Sequence, residues 1–164
     1  MGLRGATEQD IPEILGIYNS AVLTKLSTAD TAPVSVASRL EWFRKHQPER
    51  RPLLVYEHGG EVMAWVSFED FYGRPAYHRT AEISIYIATE HQGKRLGQEL
   101  LQAAAGMAPK LGVNTLIGYV FDHNTPSMRL FRSLGFCEWG RLPRVADIGG
   151  KEVSVCILGK RVAD

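Results

Sequence analysis

Between Thr80 and Gly112 the chain changes its apolar period. Ala81, Ile83, Ile85 and Ile87 alternate with Glu82, Ser84 and Tyr86, which is the two-residue repeat of a strand. After a basic turn, Leu96, Leu100, Ala104, Met107 and Leu111 recur at helical spacing, and Gly112 stops the helix. A strand that feeds a helix through a short turn packs that helix back over its own sheet, and a following strand then lies parallel to the first. The pattern repeats: Leu116 to Phe121 reads as a strand, Thr125-Pro126 as an N-cap with Pro at the first helical position, and Gly135 as the stop. Two strand–helix units in the second half of the chain therefore predict a parallel portion in the sheet.

The rest of the chain supplies antiparallel strands and two more helices. Thr7-Glu8-Gln9-Asp10 has the form of a capping box with Asp in place of Glu, and Ile11, Ile14, Leu15, Tyr18 and Val22 follow at helical spacing. Val36, Leu40 and Phe43 mark a second helix, from near Ser35 to before Pro48; the breaker-rich stretch Thr24 to Pro33 between them reads as a pocket wall. Leu53 to Tyr56 and Val62 to Phe68 form a hairpin about His58-Gly59-Gly60, Asp70 to Thr80 reads as a loop, and a short strand is expected near Leu3. The last strands, near Cys137 to Val145 and Val153 to Leu158, turn at Gly149-Gly150. The expected class is α/β (mixed α+β), a mixed sheet with helices on both faces. With 164 residues, 45% of them hydrophobic, and no repeat or linker, residues 1–164 read as a single domain.

Nineteen Lys and Arg against eighteen Asp and Glu leave a net charge of +1, which argues against nucleic-acid binding through bulk charge. No apolar run approaches the roughly 20 residues of a membrane span, and Met1 to Ala6 has no apolar core of a signal peptide, so a cytoplasmic protein is expected. Cys137 and Cys156 share no metal-type spacing, no metal is expected, and both cysteines read as reduced core residues. Trp42, Trp65 and Trp139 read as core or pocket wall.

The turn His91-Gln92-Gly93-Lys94-Arg95-Leu96-Gly97 carries the chemistry. Its glycines permit close backbone approach, and the helix that follows offers first-turn N–H groups beside Lys94 and Arg95, an anion seat suited to a pyrophosphate. Gln92 to Gly97 resembles the Gln/Arg-x-x-Gly-x-Gly/Ala acetyl-CoA loop of the GNAT superfamily of N-acetyltransferases. Asn124-Thr125-Pro126-Ser127, continuing to Leu134-Gly135-Phe136, is similar to that superfamily's second signature. Thr80 to Ile87 resembles the preceding strand in the phosphinothricin and methionine-sulfoximine acetyltransferase branch. The resemblance implies the GNAT fold: a twisted mixed sheet of six to seven strands with a V-shaped splay, flanked by about four helices.

It also implies acetyl-CoA as cosubstrate, seated between the strands Glu82 to Ile87 and Leu116 to Phe121. The backbone of Ile85 and Ile87, with Tyr86 between them, would hold the pantetheine arm. Gln92, Gly93, Lys94, Arg95, Leu96 and Gly97 would take the phosphates, and Asn124 and Ser127 would lie beside the pantetheine. Arg129 and Arg132 are further candidates, for the adenosine phosphate. Glu82 is the expected general base, because an alkylammonium must lose a proton before it attacks, and the Ile85 N–H is the expected oxyanion donor. The branch implies that Arg74, Tyr77 and Glu82 contact a small amino acid or analogue such as methionine sulfoximine or phosphinothricin; it also implies a homodimer.

Two departures bear on the acceptor. The branch has an aromatic residue where Ser27-Thr28-Ala29-Asp30 stands, and an aromatic-containing run where Ile148 to Val153 stands. Phe131 occupies the position where many members carry a Tyr acid, so water or Tyr86 is left for that role. Beside small-molecule N-acetylation stand acetylation of a protein N-terminus or lysine, and a CoA-binding module without turnover.

Overall fold

A computed structural model describes residues 2–164. The strands are β1 (Gly2–Gly5), β2 (Leu53–His58), β3 (Glu61–Asp70), β4 (Thr80–Ile87), β5 (Thr115–Phe121), β6 (Cys137–Ile148) and β7 (Lys151–Arg161). The α-helices are α1 (Ile11–Thr24), α2 (Val36–Arg44), α3 (Leu96–Met107) and α4 (Thr125–Ser133). All seven strands form one sheet in the order β1-β2-β3-β4-β5-β7-β6. The mixed class, the single sheet and the four helices match the expectation.

Among the described residues only β4 and β5 pair in parallel. The second strand–helix unit adds no parallel pair, because β7 lies between β5 and β6 and pairs antiparallel with both. The tight Gly149-Gly150 turn keeps β6 and β7 adjacent, and β6 is left on the outer edge.

Alternation along the strands sends side chains to two cores. On one face Ile14, Ile17, Tyr18 and Val22 of α1 pack on Val55, Val62 and Trp65, with Trp42 and Phe43 of α2 at the margin. On the other face Leu100, Leu101 and Ala104 of α3, with Met128 and Phe131 of α4, cover Val66, Phe68, Ile83 and Leu116. Pro109 explains why α3 gives way to a tighter turn over Ala108–Leu111 before Gly112 reverses the chain at φ +76°.

Several boundaries differ from the sequence reading. The cap of α4 is Asn124, whose Oδ1 accepts from Ser127 N at 3.2 Å; Thr125 is the first helical residue. Capping-box chemistry at Thr7 holds, since Asp10 Oδ2 accepts from Thr7 N at 2.8 Å, but it closes a short turn over Glu8–Asp10 that leads into α1. Cys156 is buried as expected, whereas Cys137 is exposed at the start of edge strand β6. Trp65 is core and Trp42 half-buried, but Trp139 is half exposed, lying across Gly159 of the neighbouring strand.

Candidate active site

The sheet opens where its parallel pair ends. β4 and β5 are in register only at Thr80↔Thr115, Ala81↔Leu116 and Glu82↔Ile117, although both strands continue for several residues. The groups that face the opening follow from the β3–β4 ladder. Ala88 N donates to Met63 O at 2.9 Å, in line with a register that sets Ala64 opposite Ile87. Antiparallel ladders alternate, so Glu82, Ser84 and Tyr86 turn their backbone groups toward β3, and Ile83, Ile85 and Ile87 turn theirs toward β5. Beyond Glu82 that side is the gap. The Ile87 carbonyl is capped by Gln92 Nε2 at 3.1 Å, while the backbone of Ile85 faces the opening.

Two cavities lie along this wedge. One, of about 460 Å³, runs past Ile85 and Ile87 to the turn before α3 and to the first residues of α4. The other, of about 400 Å³, is bounded by Glu82, Ser84 and Tyr86 on one bank and Tyr119 and Phe121 on the other. Ser27, Ile85, Tyr86, Asn124 and Ser127 wall both.

The turn before α3 is shaped by left-handed backbone at Gly93 (φ +76°) and Arg95 (φ +63°), and Arg95 is the cap of α3. No side chain caps this helix end, so its first-turn N–H groups point at the cavity. Gly97 brings the helix close: a Cβ there would meet Ile87 Cδ1 at 3.0 Å and Leu130 Cδ2 at 3.2 Å. Gln92, Gly93, Arg95, Leu96 and Gly97 line the larger cavity, while Lys94 is exposed and does not. Arg129 also lines it; Arg132 faces a separate hollow with Arg141 and Asp122.

Glu82 stands at the narrow end of the wedge. Burial, and secondarily the negative charge of Glu69, push its carboxyl up to about 7. Glu69 is its cross-strand partner on β3. Tyr86 stacks on Trp65 with centroids 4.7 Å apart, and its hydroxyl donates to Ser27 O at 3.2 Å. That bond fixes the 24–33 loop as the wall the sequence reading expected. Tyr18 bonds both Thr28 and Asp30, and Arg39 holds Asp30 at 3.0 Å while lying over the Tyr18 ring.

Arg74 and Tyr77 lie outside both cavities, on the exposed segment between β3 and β4. Arg74 precedes a tight turn over Pro75–Tyr77, and Tyr77 joins Phe71 and Tyr72 in an aromatic cluster. Arg51, 4% exposed, pins both ends of the segment, donating to Asp70 Oδ1 at 2.9 Å and to His78 O at 2.7 Å. Tyr119 and Glu69 were not anticipated from the sequence. Tyr119 stands in the expected strand Leu116 to Phe121 and Glu69 one residue beyond the expected strand Val62 to Phe68, but the pairing that brings them to Glu82 was not legible.

The chain has relatives among known proteins over nearly its whole length. Residues 15–136 match the acetyltransferase (GNAT) family. The chain is 48% identical over 164 residues (99% of it, 100% of the relative) to YwnH of Bacillus subtilis, provisionally named a phosphinothricin acetyltransferase. It is 33% identical, over 95% of this chain and 91% of the relative, to the L-methionine sulfoximine/L-methionine sulfone acetyltransferase of Pseudomonas paraeruginosa. A crystal structure of a GNAT superfamily phosphinothricin acetyltransferase from Sinorhizobium meliloti in complex with AcCoA superposes with a TM-score of 0.91. It is 28% identical, over 97% of this chain and 86% of that one.

Proposed function

Since the chain belongs to the GNAT acetyltransferase family and is an N-acetyltransferase, we propose that it transfers the acetyl group of acetyl-CoA to the amino group of a small amino acid or analogue, with Glu82 as general base. The observation that carries this reading is the half-buried carboxyl of Glu82 at the narrow end of an opened strand pair, lining the smaller cavity.

The residues present fit the cosubstrate. The backbone of Ile85 and the N–H of Ile87 turn toward the gap beyond the last β4–β5 pair, and Gly97 lets α3 pack close against Ile87 and Leu130 at the cavity wall. Gly93, Arg95 and the first turn of α3 hold the phosphates, with Gln92 bracing the Ile87 carbonyl and Lys94 adding charge from outside. Asn124 and Ser127 flank the arm where the two cavities meet.

Acetyl-CoA, when bound, supplies an acyl thioester whose C–S bond breaks as the acceptor nitrogen forms the new C–N bond. Glu82 takes the proton of the acceptor's ammonium, and its raised proton affinity suits that task near neutrality. The Ile85 N–H, aimed into the gap, donates to the carbonyl oxygen that gains charge. Arg74 and Tyr77, on the segment leading into β4, are the proposed contacts for the acceptor's carboxylate end, for which a guanidinium gives a two-pronged match. The relatives' acceptors support this class: one is an L-methionine sulfoximine/L-methionine sulfone acetyltransferase, another an L-amino acid N-acyltransferase of Escherichia coli.

A thiol-release assay over a panel of amines tests the reading. Turnover of small amino acids is expected, with Glu82→Gln lowering kcat/KM about 10²- to 10⁴-fold while CoA affinity is unchanged. Turnover of Glu82→Gln within a few-fold of the parent would remove the base. Turnover on peptides alone would make the acceptor a protein, and binding without turnover on any amine would make this a CoA-binding module.

A further inference from the structure

Behind Glu82 stands a group that the proposed reaction does not use. β3 and β4 set Glu69 directly opposite Glu82, on the face that also carries Ser84 and Tyr86. Side chains so placed are near neighbours, and like charges there repel. Two carboxyls side by side are costly for a fold, and the β3–β4 register sets these two so. Ser67, two residues back on the same face and 1% exposed, has its Oγ 3.5 Å from Glu69 Oε2 and 2.8 Å from His46 Nε2. His46 Nδ1 in turn lies 3.1 Å from Trp42 O, at the end of α2. A line of polar atoms thus runs from the last turns of α2 through the sheet face to the carboxyl beside Glu82.

We propose that Glu69 is a positioning residue for the transfer reaction, presenting a second negative charge to Glu82 from the facing position of the β3–β4 ladder. The inference rests on Glu82 being the base. Glu69 faces Glu82 from β3, Tyr119 faces it from β5, and Tyr86 lies beyond it on β4 itself. Both phenols are raised, chiefly by burial, and keep their protons across the working range, so among the described residues Glu69 is the charge on Glu82 that a substitution can remove. Burial lowers the proton affinity of the His46 imidazole more than Glu69 raises it, so the neutral ring donates from Nδ1 to Trp42 O and accepts at Nε2 from Ser67 Oγ.

The pH dependence of kcat/KM tests this. In Glu69→Gln the acid limb moves down by about one pH unit, the size expected for one neighbouring charge in a partly solvated site. Glu69→Asp, which keeps the charge, leaves the limb within a few tenths of the parent. An unmoved limb in folded, CoA-binding Glu69→Gln overturns the proposal. If that variant does not fold, carbon-13 titration of the glutamate carboxyls in the parent protein decides. A Glu82 signal that also follows the Glu69 transition supports the coupling, and one that ignores it overturns it. Failure here is separable from failure of the base: full turnover in Glu82→Gln removes both, whereas collapse in Glu82→Gln with an unmoved limb in Glu69→Gln removes only this inference.

Discussion

Phe131 shows how one side chain can serve packing and the site at once. Its ring fills the space above Gly118 in β5, where a Cβ would sit 2.7 Å from Phe131 Cε1 and 3.0 Å from Cζ. It meets Phe136 edge-on at 5.0 Å and walls the smaller cavity. A hydroxyl at this position would have to find a partner in that wall; phenylalanine needs none. Because both ring and strand are buried, neither can retreat. Gly118→Ala is expected to destabilise by about 1–3 kcal/mol in urea unfolding, and adding Phe131→Leu to recover part of the loss. No loss in the single variant would show that the ring moves freely.

Among the elements, α4 ties the wedge to the helix layer through its cap. Asn124 is buried, closes the helix through Ser127 N, and stands where the cavities meet. Asn124→Ala is expected to cost about 1 kcal/mol of stability and to weaken CoA binding, read by urea unfolding and by calorimetry. An unchanged dissociation constant would confine Asn124 to capping. The strand Ala81 to Ile87, the turn Gln92 to Gly97 and the start of α4 could all be placed from the sequence, because each depends on local chemistry: a two-residue period, left-handed glycine positions, a proline early in a helix. What could not be placed depends on pairing across the chain. Nothing in the segment 61–70 says which residue opposes Glu82, so Glu69 passes as one more polar position. Nothing in 115–121 says that Tyr119 closes the cavity. The insertion of β7 beside β5, which leaves Cys137 and Trp139 on an edge strand, is likewise a fact of sheet order. The cap of α4 was misplaced by one residue because Asn124 and Thr125 are both good caps, and only geometry chooses between them.

Across the whole molecule, carboxyls with shifted proton affinity pull stability in opposite directions. The Asp10 carboxyl is held below its ordinary 3.8, first by hydrogen bonds from Arg4, which tie β1 to the entry of α1 at 2.8 and 2.9 Å. Asp70 is also lowered on balance: burial raises it, but the hydrogen bond and charge of Arg50, with the charge of Arg51, outweigh that. A lowered acid contributes fully above its unfolded value and loses that contribution as pH falls through its folded one. Glu82 has the opposite sign. Its folded value of about 7 exceeds the ordinary 4.5, so ionising it progressively burdens the folded state as pH climbs between them. The urea midpoint is therefore expected to rise from strongly acidic pH to about 4 and to decline toward neutrality. Glu82→Gln should abolish the decline and keep the acid rise; a decline that persists in the variant would assign it to other groups.

Three facing pairs, Thr80↔Thr115 to Glu82↔Ile117, together with bonds from Asn114 N and Thr115 N to Arg79 O just before them, join the two banks of the sheet. The molecule is thus bound like a book along a short spine. Helices α3 and α4 act as its boards, and the pages part toward the carboxyl ends of β4 and β5. Glu82, seated in the last pair, is therefore tied to both banks at the very point where they part.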